Sequence, residues 1–408
     1  MTDMSDQGAG HAPRRSTTRW NTAAALLNLI HGTPGTTRAS ATKNLGLTTG
    51  AATDLLATMR AARLLAEIPV AQGRRGRPTA ELRAHPNGPV AVLLDLQPRG
   101  CRIAIANIEG ALHNPFGDGD SRFEISLPKV AGALTAAAQT YGPRIRIVVL
   151  CNDRRSGPTA GTEVRSIIDW IRSDNGPFRA VQEDFSLIVC NRTELEARAE
   201  ARSVATGGVG TVLHLVVADG ATGALVRDGE VIDANDPSGY GHLPFGRSDH
   251  LCQCGAHGCW GSSVDGYALA ELCGDSVPAQ PDEYVNYIAA SLVSRRHRVD
   301  AKRAAFESVT TILGKSVAAL VNLHNPAVVT LGGTAPVLTR TCPEVFTQAY
   351  SDGLMTIRRD PVVVPVVEAS RGSQSALFGA ADVALAHLRT PEALEAWCRP
   401  ASSQLTDR

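Results

Sequence analysis

Cys252, Cys254 and Cys259 place three thiols within eight positions, in the run Cys252-Gln253-Cys254-Gly255-Ala256-His257-Gly258-Cys259. Thiolates are soft ligands, and the glycines let the loop curl so that three sulfurs reach one point. A tetrahedral site needs a fourth donor. His242 stands ten residues upstream of Cys252, beside Gly241, and His250 and His257 are its rivals for the place. Zinc is the metal this donor set suits. Four protein ligands leave no open position for activating water, so the metal is expected to hold structure. The bland alternative is three reduced cysteines close together by coincidence.

The elements that must position this knuckle belong to a chain of 408 residues, more than one ordinary core accommodates. Its 40 basic and 40 acidic residues balance overall but not locally. Met1 to Pro86 carries 11 Lys/Arg against 5 acids, a net charge of +6, so the remainder is −6. A basic module on an acidic body is the arrangement of a polyanion-binding head. Nine cysteines form an odd set, six of them scattered in apolar or helical context. With no signal-like opening and no run of about 18 apolar residues, a reducing cytoplasm without a membrane is the expected setting.

Residues 1–15 read as a disordered tail and residues 16–86 as a DNA-binding domain. A helix begins over Asn21–Leu29 and ends near Gly32-Thr33-Pro34-Gly35, a short helix is expected over Arg38–Leu45, and Gly46-Leu47-Thr48 makes a turn with Thr48 as N-cap. Leu55, Leu56 and Met59 give a third helix, to about Arg63, its apolar face. Helix, short helix, glycine-containing turn and helix form the helix-turn-helix order. Strands over Leu64–Val70 and Thr79–Arg83 enclose Arg74, Arg75 and Arg77 between glycines, a wing suited to phosphates or a minor groove. A solvated basic loop on a helical packing module is the competing reading. Thr48, Thr49 and Thr53 are the early polar residues of the reading helix. They allow close approach and thymine-methyl contact but no bidentate guanine pairing, so no target sequence is readable from them.

From residue 88 to about 390, strands alternate with helices, which predicts an α/β body of two lobes around a cleft. Strands are expected over Val90–Asp95, Arg102–Asn107, Arg144–Leu150, Ser186–Val189, Leu213–Ala218 and Val328–Leu331. Helices are expected over Glu163–Ile171, Tyr267–Cys273, Glu283–Ser294, Ala301–Leu323 and Ser375–Leu388, leaving 391–408 as a tail.

This combination resembles the ROK family of repressors, open reading frames and kinases. Leu47–Arg77 resembles the family's DNA-binding head, Gly241-His242 with Cys252–Cys259 its zinc signature, and Val328-Val329-Thr330-Leu331-Gly332-Gly333 after His324-Asn325-Pro326 its adenosine turn. Ser375–Ala381 resembles its closing helix. The resemblance implies an actin-like, sugar-kinase fold carrying a winged helix-turn-helix and a structural zinc knuckle, with His242, Cys252, Cys254 and Cys259 as the zinc ligands.

It also implies that the kinase chemistry has been lost. The family's opening aspartate and paired-glycine phosphate turn correspond to Asp95-Leu96-Gln97-Pro98-Arg99, where proline removes a donor and both glycines are gone. The second phosphate loop corresponds to Ala218–Gly223 and carries Asp219. The Asn-Asp pair holding the general base corresponds to Asn191-Arg192, and a guanidinium has no lone pair to accept a proton. The sugar-holding glutamates correspond to Gly239 and Gly261. Asn191, Arg192 and His242 remain to meet a sugar-derived or anionic effector, with Arg192 and Arg99 paired to nearby acids as the plainer alternative. The implied function is a kinase-inactive DNA-binding regulator, a repressor acting on double-stranded DNA as a homodimer or homotetramer. The alternatives are a sugar kinase of the same fold, or a regulator with a vacant cleft under a protein partner's control.

Overall fold

The computed structural model describes residues 12–399 apart from 71–78, 98–99, 116–121, 124–125, 153–157, 174–175, 179–184, 205–209, 233–236, 294–298 and 360–362. The described chain divides into two compact units. One comprises residues 1–150, 163–189 and 380–408, the other residues 151–162 and 190–379.

The first unit begins with helices α1 (Ala12–Gly32), α2 (Arg38–Asn44) and α3 (Thr49–Ala61), followed by the antiparallel hairpin β1 (Leu65–Val70) and β2 (Thr79–Ala84). The helix expected from Asn21 begins at Ala12, inside the stretch read as a tail. Its buried stripe of Trp20, Ala23, Leu26, Leu27 and Ile30 recurs at helical spacing. Thr37 and Ser40 form a capping box that starts α2, and Thr48 accepts from the Ala51 amide to start α3. Ala52, Leu55, Leu56 and Met59 turn one face of α3 into the core with α1.

The same unit carries a six-stranded sheet. It is built from β3 (Val90–Gln97), β4 (Gly100–Asn107), β5 (Leu112–His113), β6 (Arg122–Phe123), β7 (Ile145–Asn152) and β8 (Ser186–Asn191), in the order β5-β4-β3-β7-β8 with β6 beside β4. The near-continuous apolar run Val90–Leu94 is buried. Helices α4 (Leu127–Tyr141) and α5 (Pro158–Arg172) supply Val130, Leu134, Val164 and Ile167 to that core.

The second unit holds a mixed five-stranded sheet and most of the remaining helices. After α6 (Arg192–Val204) come β9 (Thr211–Ala218), β10 (Gly220–Arg227) and β11 (Glu230–Val231). Then follow α7 (Gly261–Val264), α8 (Gly266–Cys273), α9 (Pro281–Val293), α10 (Val299–His324), β12 (Val328–Gly333), α11 (Ala335–Thr341), α12 (Pro343–Gly353) and β13 (Val366–Glu368). The strand order is β11-β10-β9-β12-β13, with β9 antiparallel to β10 and parallel to β12. At 26 residues, α10 is long and apolar enough to cross a bilayer. Phe306, Val309, Leu313, Val317, Leu320 and Val321 are instead its contribution to the protein core.

The chain closes with α13 (Ser375–Leu388) and α14 (Pro391–Cys398). Residues 391–398, expected as a tail, form a helix because Thr390 caps it, Pro391 opens it at a position that needs no amide donor, and Leu394 is wholly buried against α1. Trp397 donates its indole N–H to the Ala62 carbonyl (2.7 Å), at the end of α3. Arg389 is buried and donates to the Ile108 carbonyl (2.8 and 3.1 Å) and to Asn28 Oδ1 (3.3 Å). Replacing Leu394 with Ala should therefore lower the unfolding free energy by about 2–4 kcal/mol. Urea unfolding of the full chain measures this, and a loss below about 0.5 kcal/mol would contradict the packing of α14.

Candidate functional sites: a reader face, a four-donor cluster and a buried ion pair

The exposed face of α3 consists of small and polar groups. Thr48, Thr49, Gly50, Ala51, Thr53 and Asp54 are all exposed. Thr53 Oγ1 donates to the Thr49 carbonyl (2.7 Å) and accepts from the Arg38 guanidinium of α2. Arg38 was not among the reader residues expected from sequence, since it lies outside the third helix. Arg74, Arg75 and Arg77 lie outside the described residues, between the two strands of the hairpin.

The four donors expected at the cysteine knuckle come together. One ligand atom from each of His242, Cys252, Cys254 and Cys259 lies within 4.8 Å of all the others. The edges Cys252 Sγ to His242 Nδ1 (3.7 Å) and Cys254 Sγ to Cys259 Sγ (3.6 Å) suit a tetrahedron with metal–sulfur bonds of about 2.3 Å, whose edge is about 3.8 Å. The loop closes through Cys252 N–H to Ala256 O (2.8 Å) and Gly255 N–H to Cys252 O (2.9 Å), with Gly255 and Gly258 at positive φ. Burial, and then the neighbouring thiols, push the Cys259 thiol up to about 12, whereas the Ala256 amide pulls Cys254 down. Three thiols this close would ionise together only around a cation. His250 faces Glu271 instead (3.6 Å) and is outside the cluster, as is the exposed His257.

Asn191 and Arg192 begin α6, a helix that the pattern of apolar residues did not reveal. Asn191 Oδ1 accepts from the Thr193 amide (2.8 Å) and so caps the helix. Arg192 meets the Glu196 carboxylate at 2.9 Å, with both side chains largely buried. Glu196 also lies 3.8 Å from Nε2 of the buried His214, whose Nδ1 shares a 2.8 Å hydrogen bond with Thr330 of β12. One turn along, the fully buried Glu200 accepts from the Ser370 amide (2.7 Å) and hydroxyl (3.0 Å), the Arg371 amide (3.1 Å) and the Ser375 hydroxyl (2.8 Å).

The other positions marked by sequence have local partners too. Asp95 is buried in β3 and accepts from Gln97 Nε2 (2.6 Å), while Pro98 and Arg99 lie outside the described residues. Beside Asp219, the Gly220 amide donates to Asp265 (3.1 Å), a buried carboxylate pushed up to about 6 chiefly by desolvation. A Cβ at Gly261 would stand 2.8 Å from the Ala221 amide nitrogen, so a glutamate there would need the backbone to move. At Gly239 the space is open.

A model of the ROK family matches residues 168–387, more than half of the chain, and the chain belongs to that family. A protein provisionally named a xylose repressor, from Caldicellulosiruptor sp. (strain Rt8B.4), is 32% identical over 176 residues. That match takes in 38% of this chain and 42% of the relative's own length. Among solved structures, a ROK family transcriptional regulator described as a homologue of the E. coli MLC protein has a TM-score of 0.65 at 18% identity. It covers 93% of this chain and 99% of its own. A ROK family glucokinase from Streptomyces griseus, solved with glucose and AMPPNP, has a TM-score of 0.51 at 16% identity, covering 72% of this chain and 98% of its own. These likenesses establish the α/β sugar-kinase-like fold.

The ion pair generates a prediction. Arg192→Ala leaves Glu196 buried beside His214 without its cation, and should cost about 3 kcal/mol in chemical denaturation. Arg192→Asp should cost at least as much, since it sets two carboxylates one helical turn apart. Wild-type stability in both variants would remove the pairing from the account.

Proposed function

We propose that this protein is a DNA-binding transcriptional regulator of the ROK type, a repressor whose kinase-like body no longer transfers phosphate. The observation that carries the reading is the low, exposed face of α3, Thr48-Thr49-Gly50 and Thr53, set on a packed three-helix unit ahead of the ROK body. Such a face fits a major groove, and the hairpin after it is read as a wing, with Arg74, Arg75 and Arg77 in the sequence between its two strands. The repressor name of the 32%-identical relative supports the same reading.

Against catalysis stands Arg192, at the position that the family resemblance assigns to the general base. Its guanidinium is engaged with Glu196 and has no acceptor lone pair. The alternative, a sugar kinase of the same fold, would need another base, and the glucokinase likeness extends to the fold alone. A sugar-derived or anionic effector meeting Asn191, Arg192 and His242 belongs to the proposal, as do a homodimer or homotetramer placing two readers on half-sites and a cytoplasmic location.

Zinc is the metal proposed for His242, Cys252, Cys254 and Cys259. Bound there, it would fix the ends of the 242–259 loop and, with four protein ligands, take no part in chemistry. Metal analysis should find about one zinc per chain, and Cys254→Ser should lose it with a fall in melting temperature. Stoichiometric zinc in that variant would contradict the assignment.

Gel shifts on duplexes from beside the protein's own gene test the function. The Arg74/Arg75/Arg77 triple alanine variant should bind at least about tenfold more weakly and show a flatter dependence on salt. Unaltered, salt-insensitive binding by the triple variant would contradict the wing. Turnover of ATP with a hexose, pentose or amino sugar would contradict the regulator-only reading.

A further inference from the structure

We infer that Arg38 reads a base: its guanidinium, braced by Thr53 on the exposed face of α3, pairs with the O6 and N7 edge of a guanine in the major groove. This rests on the proposed DNA-binding function and gives it a specificity-determining residue, one belonging to α2 instead of the reading helix.

Three observations support the assignment. First, the backbone that carries Arg38 is fixed. Thr37 and Ser40 cap the first turn of α2 reciprocally, with Ser40 Oγ accepting from the Thr37 amide at 2.8 Å and Thr37 Oγ1 from the Ser40 amide at 3.2 Å. Arg38 is the first helical residue after that cap.

Second, the side chain is aimed. Thr53 commits its hydroxyl hydrogen to the Thr49 carbonyl (2.7 Å), which leaves its oxygen to accept from Arg38 Nη2. A guanidinium has five N–H donors in a planar fork, so one bond to threonine orients the plane and leaves donors for a bidentate partner.

Third, the surroundings leave it exposed and without a neighbouring counter-ion among the described residues. Arg38 is exposed, and no carboxylate pairs with it among the described residues, whereas Arg60 pairs with Glu67 and Arg83 with Glu81 and Glu109. The side chain it touches, Thr53, is short and exposed.

A base is a better partner here than a phosphate because of where the fork lies. Thr49, Gly50 and Thr53 occupy the first turns of α3, the part of a reading helix that faces base edges when it enters the major groove. A cation braced against Thr53 shares that surface. Bidentate pairing with guanine O6 and N7 is the commonest sequence-specific contact that an arginine makes, and it supplies the readout that the threonines lack.

The test is selection from a random duplex library with the full-length protein, wild type beside Arg38→Ala and Thr53→Val, followed by affinities on the enriched duplex at two salt concentrations. The wild-type motif should contain a guanine in each half-site. Arg38→Ala should lose the preference at that position alone and bind the wild-type motif about 10- to 100-fold more weakly. Thr53→Val should blunt the same preference while Arg38 remains. Thermal unfolding at the wild-type temperature is expected for both, since each substitution lies on an exposed face.

An unchanged motif in Arg38→Ala, with uniformly weaker binding and a flatter salt dependence, would make Arg38 a phosphate contact and overturn the inference. Unchanged affinity and motif would overturn it as well. A wild-type protein that enriches no sequence would instead remove the DNA-binding function, and this inference with it.

Discussion

The first unit depends on one shared core, in which Leu394 from the end of the chain is buried with Trp20, Leu26, Leu27, Leu56 and Met59 from its beginning. Burial of an aliphatic or aromatic side chain contributes about 1.5–3 kcal/mol, so this cluster alone represents several such increments. Two polar anchors fix its geometry. The Trp397 indole holds the carbonyl of Ala62 at the C-terminal end of α3, and the Arg389 guanidinium bridges Ile108 and Asn28. The position of α3 within its unit is thereby set by packing with α1 and α14, and its exposed face is presented on a fixed frame. The frame also explains why Gly110 has no side chain: a Cβ there would meet His31 and Leu385 at under 3 Å.

In the second unit the residues that the family resemblance sets at a sugar kinase's chemical positions are engaged in structure. Asn191 caps a helix, Arg192 balances Glu196, and the Gly220 amide is taken by Asp265. Glu200 gathers four donors from the segment that opens α13 and from the loop before it, tying that segment to α6, and a Cβ at Gly379 would come within 1.9 Å of the Leu195 carbonyl. The stability of this unit resides away from those residues, in the apolar face of α10 and the strands it covers. On the proposed reading, a ROK body is a frame that can be kept while its chemistry changes.

Sequence made the apolar elements legible and the polar ones less so. The run Val90–Leu94 and the stripe Leu55, Leu56, Met59 are apolar where they are buried, and Leu213–Val217 is so apart from the buried His214, so their pattern identifies strands and a helix. Helix α6 escaped notice because two of the residues on its buried face are carboxylates, Glu196 and Glu200, whose partners come from residues 192, 370, 371 and 375. The four-residue spacing of those glutamates was the available hint. Helix α14 was missed for its brevity, although Thr390-Pro391-Glu392 is a helix-start signal. The four-donor cluster was legible because cysteine spacing in a glycine-containing loop constrains geometry directly. Arg38 was not, since its importance arises from a contact with Thr53, 15 residues away, that only the packing of α2 on α3 creates.

The central claim is that the chain has become a sequence-specific reader of duplex DNA, and the most direct measurement is a genome-wide map of the sites it occupies in its own cells. The account predicts discrete sites upstream of genes, sharing a two-fold symmetric motif whose half-sites are spaced by whole helical turns. Occupancy no greater than that of a control without the protein, across the whole genome, would contradict it.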